Sequence, residues 1–184
     1  MAEILKEYNY TPAKLHRGYA NKSLYINVGD LSIIEKEVTQ WMKDKFVGGK
    51  GFDLWYLWNA VTPETKWDSP ENEIVMSAGP LGALTQYSGT GKTLVASISP
   101  MTGIPIDSNA GGYFGPLLKL SGWDALELQG KADKDVVIFI DGNKGIIRFP
   151  GRALQRKYPV TPGNFRITDQ ILDQLLDRLL FMHE

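Results

Sequence analysis

The chain contains no cysteine. That excludes disulfides, thiolate nucleophiles, cysteine-ligated zinc and any iron–sulfur cluster held by thiolates of this chain. Histidine is nearly absent: His16 lies in a polar arm and His183 at the far end, and both read as solvated side chains. Neither charge sign dominates. A net charge of −1 over 184 residues gives no electrostatic footprint for nucleic acid. No apolar run approaches the ~20 residues of a membrane span. The opening MAEILKEYNYTPAKLHRG shows no basic-then-apolar signal. The expectation is a cytoplasmic protein with neither membrane nor nucleic-acid partners. What is present is a hydrophobic fraction of 43%, enough for a real core and against disorder. The 19 glycines are gathered in a few places.

Hydrophobic periodicity places the elements. Residues 1–19 are mixed and polar and read as an extended arm. Leu24, Ile26 and Val28 alternate with polar or amphipathic neighbours as in a strand, and Gly29-Asp30 turns the chain into a second one near 31–34. Val38, Trp41, Met42 and Phe46 recur at helical spacing until Gly48-Gly49 stops them. FDLWYLWNAV at 52–61 is apolar nearly all round, which suits a helix inside a core or beneath another domain. WDSPENE at 67–73 is turn chemistry, so its carboxylates are expected in water rather than as an acid/base pair. Strands follow near 74–77, 92–99, 123–129, 136–140 and 146–149, with 136–140 apolar enough for burial on both faces. Strands mixed with a few helices, without regular βαβ alternation, indicate an α+β domain. Beyond Phe149 a basic, proline-bearing linker leads to a final amphipathic helix. Thr168 caps it and Ile171, Leu172, Leu175, Leu176, Leu179 and Leu180 form its apolar stripe.

SGTGKT at 88–93 resembles the end of a nucleotide-binding P-loop. The pattern requires glycine at position 86, where this chain has Gln86. It also requires a helix next, whereas Leu94, Ala96 and Ile98 alternate with Thr93, Val95 and Ser97 as in a strand. ATP binding is therefore the weakest reading, and the question becomes which other anion Lys92 meets.

SNAGGYFG at 108–115 is the most informative stretch. Gly111, Gly112 and Gly115 let backbone come close either to a ligand or to a neighbouring element. Pro116 is tolerated only in the first turn of a helix, which places that turn at 113–116. Asn109 and the glycines are then expected at a helix N-terminus, a setting that favours an anion.

Taken together, GGKGFDLWYLW, DSPENEIVMSAGPLGAL, GKTLVASISPMTG, DSNAGGYFGPLLKLSGWDALELQGKA and VVIFID, in this order, resemble the N-terminal domain of the aldehyde ferredoxin oxidoreductase family. The resemblance covers residues 20–149, the pterin-binding part of the expected organisation. The arm 1–19 precedes it and the atypical tail 150–184 follows. It implies a mixed β-sheet saddle carrying a tungsten or molybdenum bis-pterin with magnesium. The metal is held by pterin sulfurs and not by side chains. It also implies cofactor-binding roles for Lys92, Asn109 and Gly111: Lys92 stands where the family has a phosphate-contacting arginine, and Asn109-Ala110-Gly111 where it has Asn-x-Gly. No residue here takes a catalytic role. On this resemblance SGTGKT meets the phosphate of a pterin.

Two departures weaken the cofactor contacts: lysine replaces arginine at 92 and in Gly-Gly-Lys-Gly at 48–51. Lysine keeps the charge but loses the bidentate fork. The family's 4Fe-4S cluster is not ligated by this chain, and its C-terminal domains are expected from elsewhere, as further sequence or as a partner subunit. The first functional reading is the cofactor-bearing part of an enzyme that oxidises aldehydes or related carbonyls to acids and passes electrons to ferredoxin. On that reading the isolated chain is inactive. The alternative is a truncated, non-catalytic paralogue that binds pterin or serves assembly. Homo-oligomerisation is expected of a chain that exposes its pterin face and the 52–61 helix.

Overall fold

The structure, a computed structural model, describes residues 4–84, 86–133 and 136–150. In chain order the elements are β1 (Ile4–Asn9), β2 (Lys22–Asn27), β3 (Ser32–Glu37), α1 (Gln40–Phe46), α2 (Lys50–Ala60), β4 (Glu73–Ser77), β5 (Thr93–Ile98), β6 (Pro105–Ala110), α3 (Phe114–Leu120), β7 (Ala125–Gln129), β8 (Phe139–Asp141) and β9 (Ile146–Pro150). The expected α+β class with a mixed sheet is what they form. The expected tail helix lies outside the described residues. Among the described residues no helix is long and apolar enough to cross a membrane.

The described residues fall into two compact units, one of them Thr11–Asp133 and the other drawn from both flanks. In the flanking unit β1, β9 and β8 form an antiparallel three-stranded sheet in that order. The polar arm thus contains a strand, β1, which sequence periodicity did not reveal. Ile147 and Phe149 of β9 are fully buried. The apolar run 136–140 is only half-buried, and its strand is the short β8. It sits at one end of a three-stranded sheet rather than inside a two-sided core.

The Thr11–Asp133 unit is built on a six-stranded sheet of order β3-β2-β7-β4-β5-β6. β2 and β7 run parallel and the other neighbours antiparallel. α2 lies on one face, where Phe52, Tyr56 and Leu57 pack with Val38, Met42, Val75, Ala96 and Ala125. Full burial of each large apolar side chain contributes ~1.5–3 kcal/mol. Thr39 caps α1 by accepting from the Met42 amide at 3.2 Å. α2 is not covered all round: Trp58 is 77% exposed, and Trp41, Phe46 and Trp55 form a cluster of touching rings near the surface. The opposite sheet face receives α3, through Gly115 against Thr93.

The 67–73 turn forms as expected, with Ser69 and Asn72 bonded to local backbone. One expectation about it fails. Glu73 opens β4 and is buried beneath α2, not solvated, because a strand rather than a loop begins at that residue.

Candidate functional site

Lys92, Asn109 and Gly111 are brought together by strand register. β5 and β6 pair Leu94 with Asn109 and Thr93 with Ala110. Continuing that register sets Lys92 beside Gly111. A Cβ built on Gly111 would lie 3.8 Å from Lys92 Nζ and would meet nothing else within contact distance. Lys92 is exposed and makes no ion pair among the described residues. No helix follows it, so the P-loop reading fails on structure as well. Instead Ala83 and Leu84 are bonded to Thr90, which closes the 83–90 turn ahead of β5.

The glycines divide into two kinds. Gly115 is demanded by packing: a Cβ there would stand 2.7 Å from Thr93 Oγ1 and 3.2 Å from the Lys92 carbonyl oxygen. Its amide donates to Thr93 Oγ1 at 2.8 Å. Gly91 is likewise tight, with the Gly112 carbonyl 2.8 Å from its would-be Cβ. Gly111 and Gly112 face open space. Gly112 has a φ of +117°, which a side chain resists, but no contact among the described residues requires Gly111 to lack one. A cradle that a Cβ would intrude upon, beside an unpaired cation, fits a phosphate-bearing group.

One expectation is corrected here. Asn109 does not sit at the helix N-terminus. It is on β6, and the bend at 112–113 intervenes before α3, whose N-cap is Tyr113. α3 is seven residues long with no side-chain cap bond. Positive character at this junction therefore comes from Lys92 and open backbone, not from a helix dipole.

A further element joins this edge. The glycine turn at 48–51 opens α2, and a Cβ built on Gly49 would lie 3.8 Å from the Leu94 side chain. It carries Lys50 to Asp107 of β6, an ion pair of 2.7 Å. Asp107 and Asn109 share a face of β6 by period-two alternation. Lys50, Asp107, Asn109 and Lys92 thus gather along the β6 edge. Asp107 has no signal in the sequence, because its partner is set by helix-on-sheet packing.

Buried charges lie elsewhere in the same unit. Lys119 Nζ donates to the carbonyls of Gly18 and Gly79, both at 2.8 Å, and lies 3.5 Å from Asp124 Oδ1. Asp124 accepts the amides of Ala20 and Asn21. Burial pushes the Asp124 carboxyl up and the Lys119 ammonium down, each opposed by the other's charge. The bonds to fixed carbonyls and amides favour the charged forms, so we take the pair as ionic. Glu127 is paired with Lys36, while Glu73 beside it is raised to about 7, first by burial and then by the Glu127 charge. Asp53, fully buried in α2, is raised to about 8 by burial. The lone carboxylate in FDLWYLW was the sequence signal for it.

A groove of about 500 Å3 lies at the other end of β4 and β7, lined by Trp67, Asn72, Ile74, Leu128 and Lys131. Its amides are already used: Asn72 donates to the Trp67 carbonyl and Gln129 to that of Glu71. Among the described residues no cluster of three or more metal-ligating side chains occurs.

Known proteins match this architecture. The family profile described as the aldehyde ferredoxin oxidoreductase N-terminal domain matches residues 23–156. The tungsten-containing aldehyde ferredoxin oxidoreductase of Pyrococcus horikoshii is 37% identical over 131 residues, covering 71% of this chain and 21% of that protein. The WOR-like subunit of an aliphatic sulfonate oxidoreductase from Pyrococcus furiosus is 30% identical over 135 residues, covering 71% of this chain and 21% of its own. Among solved structures, the active site complex BamBC of benzoyl coenzyme A reductase, bound to 1,5-dienoyl-CoA, has a chain that superposes with a TM-score of 0.68. It is 28% identical and covers 72% of this chain and 20% of that one. The chain spans about a fifth of the length of these relatives.

Proposed function

Since the chain belongs to the aldehyde ferredoxin oxidoreductase N-terminal-domain family, we propose that its β6 edge binds the phosphate-bearing part of a tungsten or molybdenum bis-pterin. The observation that carries this is Gly111: among the described residues no contact requires it to be glycine, and it stands against the exposed Lys92 of the β5–β6 junction. Lys92 would supply charge to a phosphate, Asn109 a side-chain amide, and Gly111 the close approach of backbone. Lys50, held by Asp107, would add positive potential at the same edge. When bound, the cofactor supplies two-electron redox chemistry at its metal; the protein's part is to orient it and exclude competitors.

The finer reading is that this domain serves an enzyme oxidising aldehydes or related carbonyls to acids, with electrons leaving through a 4Fe-4S cluster to ferredoxin. Residues 20–149 would form the pterin-binding part, and magnesium would accompany the pterin phosphates. The cluster ligands and the rest of the cofactor cradle would come from the missing four fifths of the relatives' length, as the absence of cysteine requires. That same absence supports the alternative of a pterin-binding or assembly module without turnover.

The test is retention of pterin by the full chain made in cells that synthesise it. Acid oxidation of the purified protein should release a fluorescent pterin. Gly111→Val should lose it while keeping its melting temperature. Equal pterin in both proteins would reject the site. A partner co-purifying with wild type and carrying an iron–sulfur signal would favour the enzyme over the module.

A further inference from the structure

Asp53 is fully buried, and neither carboxylate oxygen has a hydrogen-bond partner of ordinary geometry. Among the described residues no cation pairs with it. The charged group facing it is Asp107 from β6, already paired with Lys50 of Asp53's own helix. On β5 the apolar Leu94, Ala96 and Ile98 share that face, and β4 presents the Ser77 hydroxyl. An ionised carboxylate in such a place is strongly disfavoured. Ser77 lies against Asp53, and its Oγ donates to the Gly49 carbonyl at 2.9 Å. That carbonyl also accepts the Asp53 amide at 3.0 Å. A hydroxyl has one hydrogen and two acceptor sites. With its hydrogen committed to Gly49, Ser77 has acceptor capacity to spare, and protonated Asp53 is the adjacent donor.

We propose that protonated Asp53, Ser77 and the Gly49 carbonyl form a latch that fixes the 48–51 turn and thereby presents Lys50 to the β6 edge. Ionisation of Asp53 reverses the middle link. The Ser77 hydrogen turns to the carboxylate, a charge-assisted bond that outcompetes a neutral carbonyl, and Gly49 loses its side-chain donor. Burial, with a smaller contribution from the Asp107 charge, raises the Asp53 carboxyl to about 8, which places the change in the mildly alkaline range. The group is raised above its ordinary value. Its contribution to stability is therefore full at low pH and lost as pH rises through about 8. The latch needs no bound ligand, so its failure and that of the pterin site are separable.

The experiment is a pH titration of the full chain, from 5 to 9, with carbon-13 in the aspartate carboxyls and amide exchange followed at Asp53. One carboxyl should titrate near 8 and be missing in Asp53→Asn. Protection of the Asp53 amide should fall several-fold, beyond intrinsic base catalysis, with the same midpoint. In Ser77→Ala the Asp53 carboxyl should still titrate above the ordinary range while that pH-dependent fall disappears. If Asp53 titrates near 4 in the wild type, or if amide protection in Ser77→Ala falls just as in wild type, the latch does not exist. Both of those readings stand even where Asp53→Asn fails to fold.

Discussion

Gly111 and Gly115 stand in one short stretch and look alike in sequence, yet the fold uses them differently. Gly115 is fixed from inside: Thr93 and the Lys92 backbone occupy the space a side chain would need. Among the described residues Gly111 is fixed by no contact and faces only the Lys92 ammonium. A glycine motif can therefore be half packing and half site, and an added Cβ separates the halves.

The largest expected effect is on Gly115. Gly115→Val should cost about 3 kcal/mol or more. Overpacking accounts for ~1–3 kcal/mol, and the lost buried bond to Thr93 adds a comparable amount. The urea midpoint would show it, and a loss below 1 kcal/mol would mean the α3–β5 contact is soft. Next is Lys92→Ala, which should weaken inorganic pyrophosphate binding roughly tenfold, the order expected for one charge-assisted hydrogen bond. Lys92→Arg should bind at least as well as wild type, because the fork is restored. Calorimetry reads both, and unchanged affinity in Lys92→Ala would move the anion elsewhere. A third effect sets the conditions for reading the first. Glu73 is raised from 4.5 to about 7, so its contribution to stability is full at low pH and is lost as pH rises through 7. Glu73→Gln should remove on the order of 1 kcal/mol of this decline between pH 5 and 7, while the Asp53 share, which runs from its ordinary carboxyl range up to about 8, persists and alone continues above 7. Melting profiles at stepped pH would separate the two. The smallest effect is at Gly111 itself: Gly111→Ala should change stability by less than about 0.5 kcal/mol, as for an exposed position without internal contacts. A loss like that of Gly115 would erase the distinction.

The parts of the fold that were legible from sequence are those where one face is buried. β2 and β5 alternate because the core covers one side, whereas β7 is buried on both faces over its first three residues. α1 was legible from its helical spacing and the glycines that end it. β6 reads PIDSNA and lies almost wholly exposed, so no face selects apolar residues and no alternation exists to be read. β1 has the same problem. At the site, Lys92 and Gly111 were found by family resemblance, and strand register explains why they meet. Lys50–Asp107 depends on how α2 sits on the sheet, which local pattern does not encode. Glu73 was misread because turn residues precede it directly, although burial begins at that position.

β6 also ends its sheet: among the described residues it pairs only with β5. Its outer backbone groups are a ready template for another strand. Pro105, which has no N–H to offer, and the charge of Asp107 are devices that discourage such pairing. Asp107 therefore has a colloidal role as well as a geometric one. A variant that neutralises it frees Lys50 and also leaves an uncharged, exposed edge, so concentration-dependent clouding on storage is a cost to weigh before Asp107 is used to probe the site.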